Sequence, residues 1–113
     1  MAGLRRPSFL ILSALALGPL HGYAVIKEVE RLSADSVHLA AGTLYAALDR
    51  LTDEGLIEVD HEETVEGRLR RYYRLTVAGT AALAAEAEQM RRDARMVAQR
   101  LRGAGPAGAP RPA

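Results

Sequence analysis

The stretch GTLYAALDRLTDEGLIEVDHEETVEGRLRRYYRLT, residues 42–76, decides the fold. Its first third has Leu44, Leu48 and Leu51 at spacings of four and three, which predicts a helix from about Thr43 to Glu54. Gly55 follows in the position that ends helices, because only glycine turns left-handed there without strain. Two strand-like runs come next. Ile57, Val59 and His61 alternate within Leu56 to Glu62, and Leu69, Arg71, Tyr73 and Leu75 alternate within Leu69 to Leu75. Glu66-Gly67-Arg68 lies between them, so the pair reads as a hairpin with a polar tip. Thr76 then caps a long helix predicted from Val77 to about Arg102.

Working outward, the apolar run Phe9 to Leu17 reads as a first helix, with Ser8 as N-cap and Gly18-Pro19 as the stop. Leu20-His21-Gly22 leads into a second helix from Tyr23 to about Leu32, with His21 as its cap and with Val25, Val29 and Leu32 at helical spacing. Ser33 to His38 connects it to the third. Helix, helix, helix, hairpin, long helix is the layout of a winged helix-turn-helix: mainly α with a small β-hairpin. The expected division is a DNA-binding winged domain over 1–75, a dimerisation helix over 76–102 and a disordered Gly/Ala/Pro tail over 103–113.

Composition narrows the function classes. A chain of 113 residues holds one core, and 21 of its apolar residues are alanines that bury little area. The five aromatics are Phe9, Tyr23, Tyr45, Tyr72 and Tyr73. So thin a core favours burying a second face in an oligomer. The absence of cysteine excludes disulfides, thiolate nucleophiles and Cys-ligated zinc. Arg5-Arg6 before an apolar run imitates an export signal, but that run is too short to span a bilayer and reads as a helix the domain needs. A cytoplasmic protein with no membrane association is expected.

The net charge of +1 hides an asymmetry: residues 1–34 carry +2, 35–66 carry −8, and 67–113 carry +7. Arg68, Arg70, Arg71 and Arg74 fall within seven residues on the hairpin. Alternation puts Arg68, Arg70 and Arg74 on one face and Arg71 with Tyr73 on the other. Such a strand either grips phosphates or is a solvated face paired with Glu58, Asp60, Glu62 and Glu63. After a helix-turn-helix layout, DNA is the stronger reading. The third helix offers hydroxyls at Thr43 and Tyr45 and open N–H groups near Gly42. It also carries Asp49, Asp53 and Glu54, and taken alone it reads as a scaffold helix with an acidic solvated side.

Enzymatic signals fail. Gly103-Ala104-Gly105-Pro106-Ala107-Gly108 matches a dinucleotide-binding glycine pattern but follows a helix and lies in the tail. His21, His38 and His61 are too far apart in sequence for a metal-ligand pair, and no serine has a nucleophile context. No cofactor and no enzyme activity are expected.

His21-Gly22-Tyr23, the run Gly42 to Leu48, Glu54-Gly55-Leu56-Ile57 and the stretch Arg71 to Gly79 together resemble the PadR family of bacterial transcriptional regulators, in order, from about Ile11 to Leu83. The resemblance implies a winged helix-turn-helix repressor that binds a palindromic operator in double-stranded DNA as a homodimer. It also implies release by a small hydrophobic effector. Carried over, Thr43, Tyr45, Ala46 and Arg50 are the DNA-facing positions of the recognition helix. Tyr23 and Lys27 support backbone contacts, and Arg68, Arg70 and Arg71 form the wing. Family members often carry basic residues just after the recognition tyrosine. This chain has Ala46 and Asp49 there, and only Arg50 remains basic, which shifts the work to the wing and to DNA shape.

The last helix carries Leu83, Ala87, Met90, Ala94, Val97 and Leu101 at spacings of 4, 3, 4, 3 and 4, a heptad seam. A helix of this length spans about the width of the whole domain, so dimerisation is expected along it, with Phe9, Leu10 and Leu12 of the first helix joining the interface. A chain ending one helix past the wing resembles the short PadR subfamily, in which a ligand can sit between C-terminal helices. With no aromatic residue after Tyr73, Met90 and Met96 are the candidate lining. The competing reading is a protein-interaction module that keeps the fold and has lost operator binding, motivated by the acidic third helix.

Overall fold

The computed structural model describes residues 3–104. Its elements are α1 (Arg6–Leu15), β1 (Leu20–His21), α2 (Gly22–Leu32), α3 (Ala41–Asp53), β2 (Ile57–Val65), β3 (Arg68–Leu75) and α4 (Val77–Ala104). The winged-helix layout read from the sequence is present, with one addition. β1 was not foreseen: it pairs antiparallel with β3, Leu20 opposite Tyr73 and His21 opposite Tyr72, giving a sheet of order β1-β3-β2.

α1 runs through the middle of the core. Ile11, Leu12 and Leu15 meet Val25 and Val29 of α2, Leu44, Leu48 and Leu51 of α3, Ile57 of β2 and Tyr73 of β3. Each such burial is worth roughly 1.5–3 kcal/mol before the chain entropy opposing it. The predicted faces of α2 and α3 are the buried ones, except Leu32, which is 41% exposed. α1 starts earlier than expected. Its cap is Arg5, with no side-chain cap bond, and Pro7 in the first turn supplies a fixed φ and needs no N–H partner. Ser8 is therefore not a cap. It is buried and accepts a hydrogen bond from Arg50 Nη2 at 2.8 Å.

Two glycines set the wing. α3 ends on Gly55 at φ +77°, and the N–H groups of Gly55 and Leu56 return to the carbonyls of Thr52 and Leu51 at 3.0 Å each. This is the left-handed helix stop the sequence announced. The hairpin turn is Glu66-Gly67, both at positive φ (+51° and +77°), the two-residue turn whose twist matches paired strands. β2 consequently runs to Val65, past the predicted end at Glu62, with a bulge between Val59 and His61.

α4 begins on Thr76, whose Oγ1 accepts from Gly79 N–H at 2.9 Å and donates to Gly55 O at 2.6 Å, while Thr76 N–H donates to Leu56 O at 3.1 Å. One residue thus caps α4 and ties it to the root of the wing. The helix has 28 residues, roughly 42 Å at 1.5 Å each, and it projects. The radius of gyration is 18.4 Å and the long dimension 69 Å, against about 13 Å of gyration for a compact domain of this length. Gly103 and Ala104, expected in the tail, continue α4, and the rest of that expectation, 105–113, lies outside the described residues. Among the described residues no helix is long and apolar enough to cross a membrane.

Candidate nucleic-acid interface

The wing and the third helix face each other across the N-terminus of α2. His21 Nδ1 caps that terminus by accepting from Ala24 N–H at 3.3 Å, as its place before the helix predicted. Gly22, at the first position of α2, lets the Tyr45 ring lie against the backbone: a Cβ there would come within 2.6 Å of Tyr45 Oη and 2.9 Å of its Cε1. The resulting cleft, about 540 Å³, is lined by His21, Gly22, Tyr23, Tyr45 and Asp49 on one side and by residues 68–71 and Tyr73 on the other.

Electrostatics divide the four wing arginines. Arg71 Nε donates to Glu62 at 2.9 Å, and Arg74 bonds Glu58 and Asp60 at 2.9 Å each. Their carboxylate partners raise both guanidinium pKa values from the usual range. Among the described residues Arg68 and Arg70 form no ion pair, although Glu63 stands opposite Arg70 in the strand register. Burial, and then the charge of Arg70, depress the pKa of His21, with Glu63 opposing. Arg68 and Arg70 are thus the uncommitted cations of the cleft.

Of the other expected DNA-facing residues, Thr43 and Ala46 are exposed on α3. The α3 N-terminus has no side-chain cap, since Ala40 sits at the cap position. Lys27 lies 5.4 Å from the centre of the Tyr23 ring, on the α2 surface beside the cleft. Arg50 is not brought to this group. It is turned to Ser8 and, at 3.8 Å, to Glu54, because its position on α3 faces the start of α1. Asp49 and Leu69 also line the cleft, beyond the residues expected there. Asp49 lies four residues after Tyr45, the one-turn spacing that signals a shared helix face.

The expected dimer residues also divide. Leu10 and Leu12 are 5% and 0% exposed in the chain's own core and so cannot reach a partner. Phe9 is half-buried against that core, as is Leu83. Met90, Val97 and Leu101 are exposed. Met90 and Met96 do not share a face: six residues apart they are about 120° around the helix, and only Met90 belongs to the seam.

His61 gives the hairpin a pH dependence. Its Nδ1 meets Asp60 at 2.6 Å, its Nε2 meets Glu63 at 3.3 Å, and its ring stacks on Tyr72 at 4.3 Å. The bond to Asp60, and after burial's opposing effect the bond to Glu63, raise its pKa above 6.5. A raised histidine stabilises the fold fully below the unfolded value and ceases to as pH rises through the folded value. Melting temperatures at about pH 6 and about pH 8 are therefore expected to differ more in the native chain than in His61→Gln. Equal differences would show that the contact contributes nothing.

The Transcriptional regulator PadR-like family model matches residues 11–85. The chain belongs to the PadR-like family of transcriptional regulators. Among relatives, the transcriptional regulator Rv3488 of Mycobacterium tuberculosis is 39% identical over 87 residues, covering 77% of this chain and 78% of that protein. A 37.1 kDa protein in transposon TN4556 of Streptomyces fradiae is 43% identical over 83 residues, 74% of this chain, although the match spans only 22% of that protein. Among solved structures, Bacillus subtilis PadR in complex with operator DNA superposes with a TM-score of 0.64 at 26% identity, over 72% of this chain and 46% of that one. PadR-like proteins are regulators, and the chain is accordingly not an enzyme. The family match ends inside α4, so the seam from Ala87 onward lies beyond it.

Proposed function

We propose that this PadR-like chain is a dimeric repressor that binds a palindromic operator through the cleft between α3 and the wing. The observation that carries the reading is the pair Arg68 and Arg70, without carboxylate partners among the described residues and beside Tyr45 on the same cleft. The Bacillus subtilis relative is described with operator DNA, which supports the same use of the fold here. In this reading Thr43, Tyr45 and Ala46 meet base edges and the open N–H groups at the start of α3 take a phosphate. Tyr23 and Lys27 hold the backbone, and Arg68, Arg70 and Arg71 grip it from the wing. Arg50 acts on α1 instead. The exposed seam of Met90, Ala94, Val97 and Leu101, with Leu83, Ala87 and Phe9 near its base, pairs two chains. Twofold symmetry in the protein then requires it in the operator. A small hydrophobic effector meets Met90 at that seam. The protein works in the cytoplasm, where its DNA is.

Selection of genomic fragments by the purified protein tests this. A palindromic fragment is the expected winner, and enrichment of none counts against the reading. Val97→Asp tests the dimer: sedimentation is expected to show monomer with a melting temperature lowered by lost association, whereas an unchanged mass would remove the seam from the interface. One observation favours a protein-interaction module instead, namely that Arg71 and Arg74 are already neutralised by carboxylates.

Gly22→Ala separates site from scaffold. The displaced group is the far end of a flexible side chain, so stability is expected to change by less than about 1 kcal/mol. DNA affinity is expected to fall because Tyr45 is pushed off its bed. Unimpaired binding by the folded variant would show that the Tyr45 position is not needed.

A further inference from the structure

Asp49 is the residue in the cleft that a phosphate-gripping surface does not explain. It is exposed, it stands one turn after Tyr45 on the same face of α3, and it lines the cleft together with Arg68, Arg70 and Arg71. None of those arginines pairs with it, and among the described residues its carboxylate forms neither a hydrogen bond nor an ion pair. The fold therefore does not use its carboxylate. On a surface that meets DNA, a free carboxylate repels phosphate and lowers affinity for every sequence, unless a base offers it a donor.

We infer that Asp49 is a base-specificity residue that accepts a hydrogen bond from the N4 amino group of a cytosine in the major groove. The inference rests on the DNA-binding reading of the cleft. Cytosine presents a donor alone at that edge; adenine sets its N6 donor beside the N7 acceptor, guanine presents two acceptors and thymine one, and a carboxylate is repelled by each acceptor. The helix beneath is held by buried Leu44, Leu48 and Leu51, so the carboxylate is offered from a rigid element rather than from a loop. The missing basic residue after Tyr45 is then a change in what is read, not a loss of readout.

The test is selection from a randomised double-stranded DNA library by the full chain and by Asp49→Asn and Asp49→Ala. The native chain is expected to select a C·G pair at one position of each half-site, discriminating about tenfold or more. Asp49→Asn is expected to move that one position to A·T, because an asparagine amide matches adenine N6 and N7, and to leave the rest of the site unchanged. Asp49→Ala is expected to lose preference there and to bind mismatched sites more tightly. The inference is overturned if both variants select the native site unchanged while affinity rises equally for all sequences. Failure of the DNA-binding reading looks different: the native chain then enriches no sequence at all.

Discussion

Replacing Gly79 by alanine is expected to destabilise the protein by about 3 kcal/mol, lowering the melting temperature by roughly 10 °C. A Cβ at this position would fall well inside contact distance of the Leu56 carbonyl oxygen and carbon. Those atoms belong to backbone that has nowhere to go. Leu56 N–H is bonded to Leu51 at the end of α3, and Leu56 O accepts from Thr76 N–H. Moving them would loosen the helix stop and the cap of α4 together. Alanine normally gains about 1 kcal/mol over glycine inside a helix, which is too little to offset the clash. Thermal melting decides it. An unchanged melting temperature would mean that α4 does not lie this close to the wing root in solution.

The second large effect is expected from Arg68→Ala combined with Arg70→Ala. These two cations have no carboxylate partner among the described residues, so their removal orphans no buried charge and leaves the fold intact. If both contact phosphates, every DNA sequence is bound more weakly, and the dependence of log K on log salt becomes shallower by about 2 per protomer. Arg71→Ala, by contrast, is expected to lose less, because Glu62 already holds that guanidinium. Fluorescence anisotropy across a salt series measures both. Equal slopes for the double variant and the native chain would take Arg68 and Arg70 out of the contact.

Short-range patterns made most of the fold legible. Leu44, Leu48 and Leu51 gave away the buried face of α3, Gly55 its end, and Thr76 the start of α4, because each acts within a turn of itself. The misses are residues whose partners are distant in the chain. Ser8 looked like a cap because its bond to Arg50 spans 42 positions. β1 is two residues long and exists only because β3 is there to pair with it. Leu12 reads as available to a partner because nothing local says that α1 lies at the centre of the core. The site was legible as residue types in order. Which arginines stay free was not, because that follows from a register set by the Glu66-Gly67 turn and the bulge in β2. Gly22 and Tyr45 both stand out in the sequence, but that one makes room for the other is a fact of three dimensions.

The most direct measurement is the affinity of the native chain for a selected operator fragment as salt rises from about 0.05 M to about 0.2 M. A cleft that grips phosphates with Arg68, Arg70 and the start of α3 predicts tight binding that falls steeply and linearly in log–log form. A flat dependence, or no binding at the lowest salt, would contradict the account and turn the same surface into a site for a protein partner.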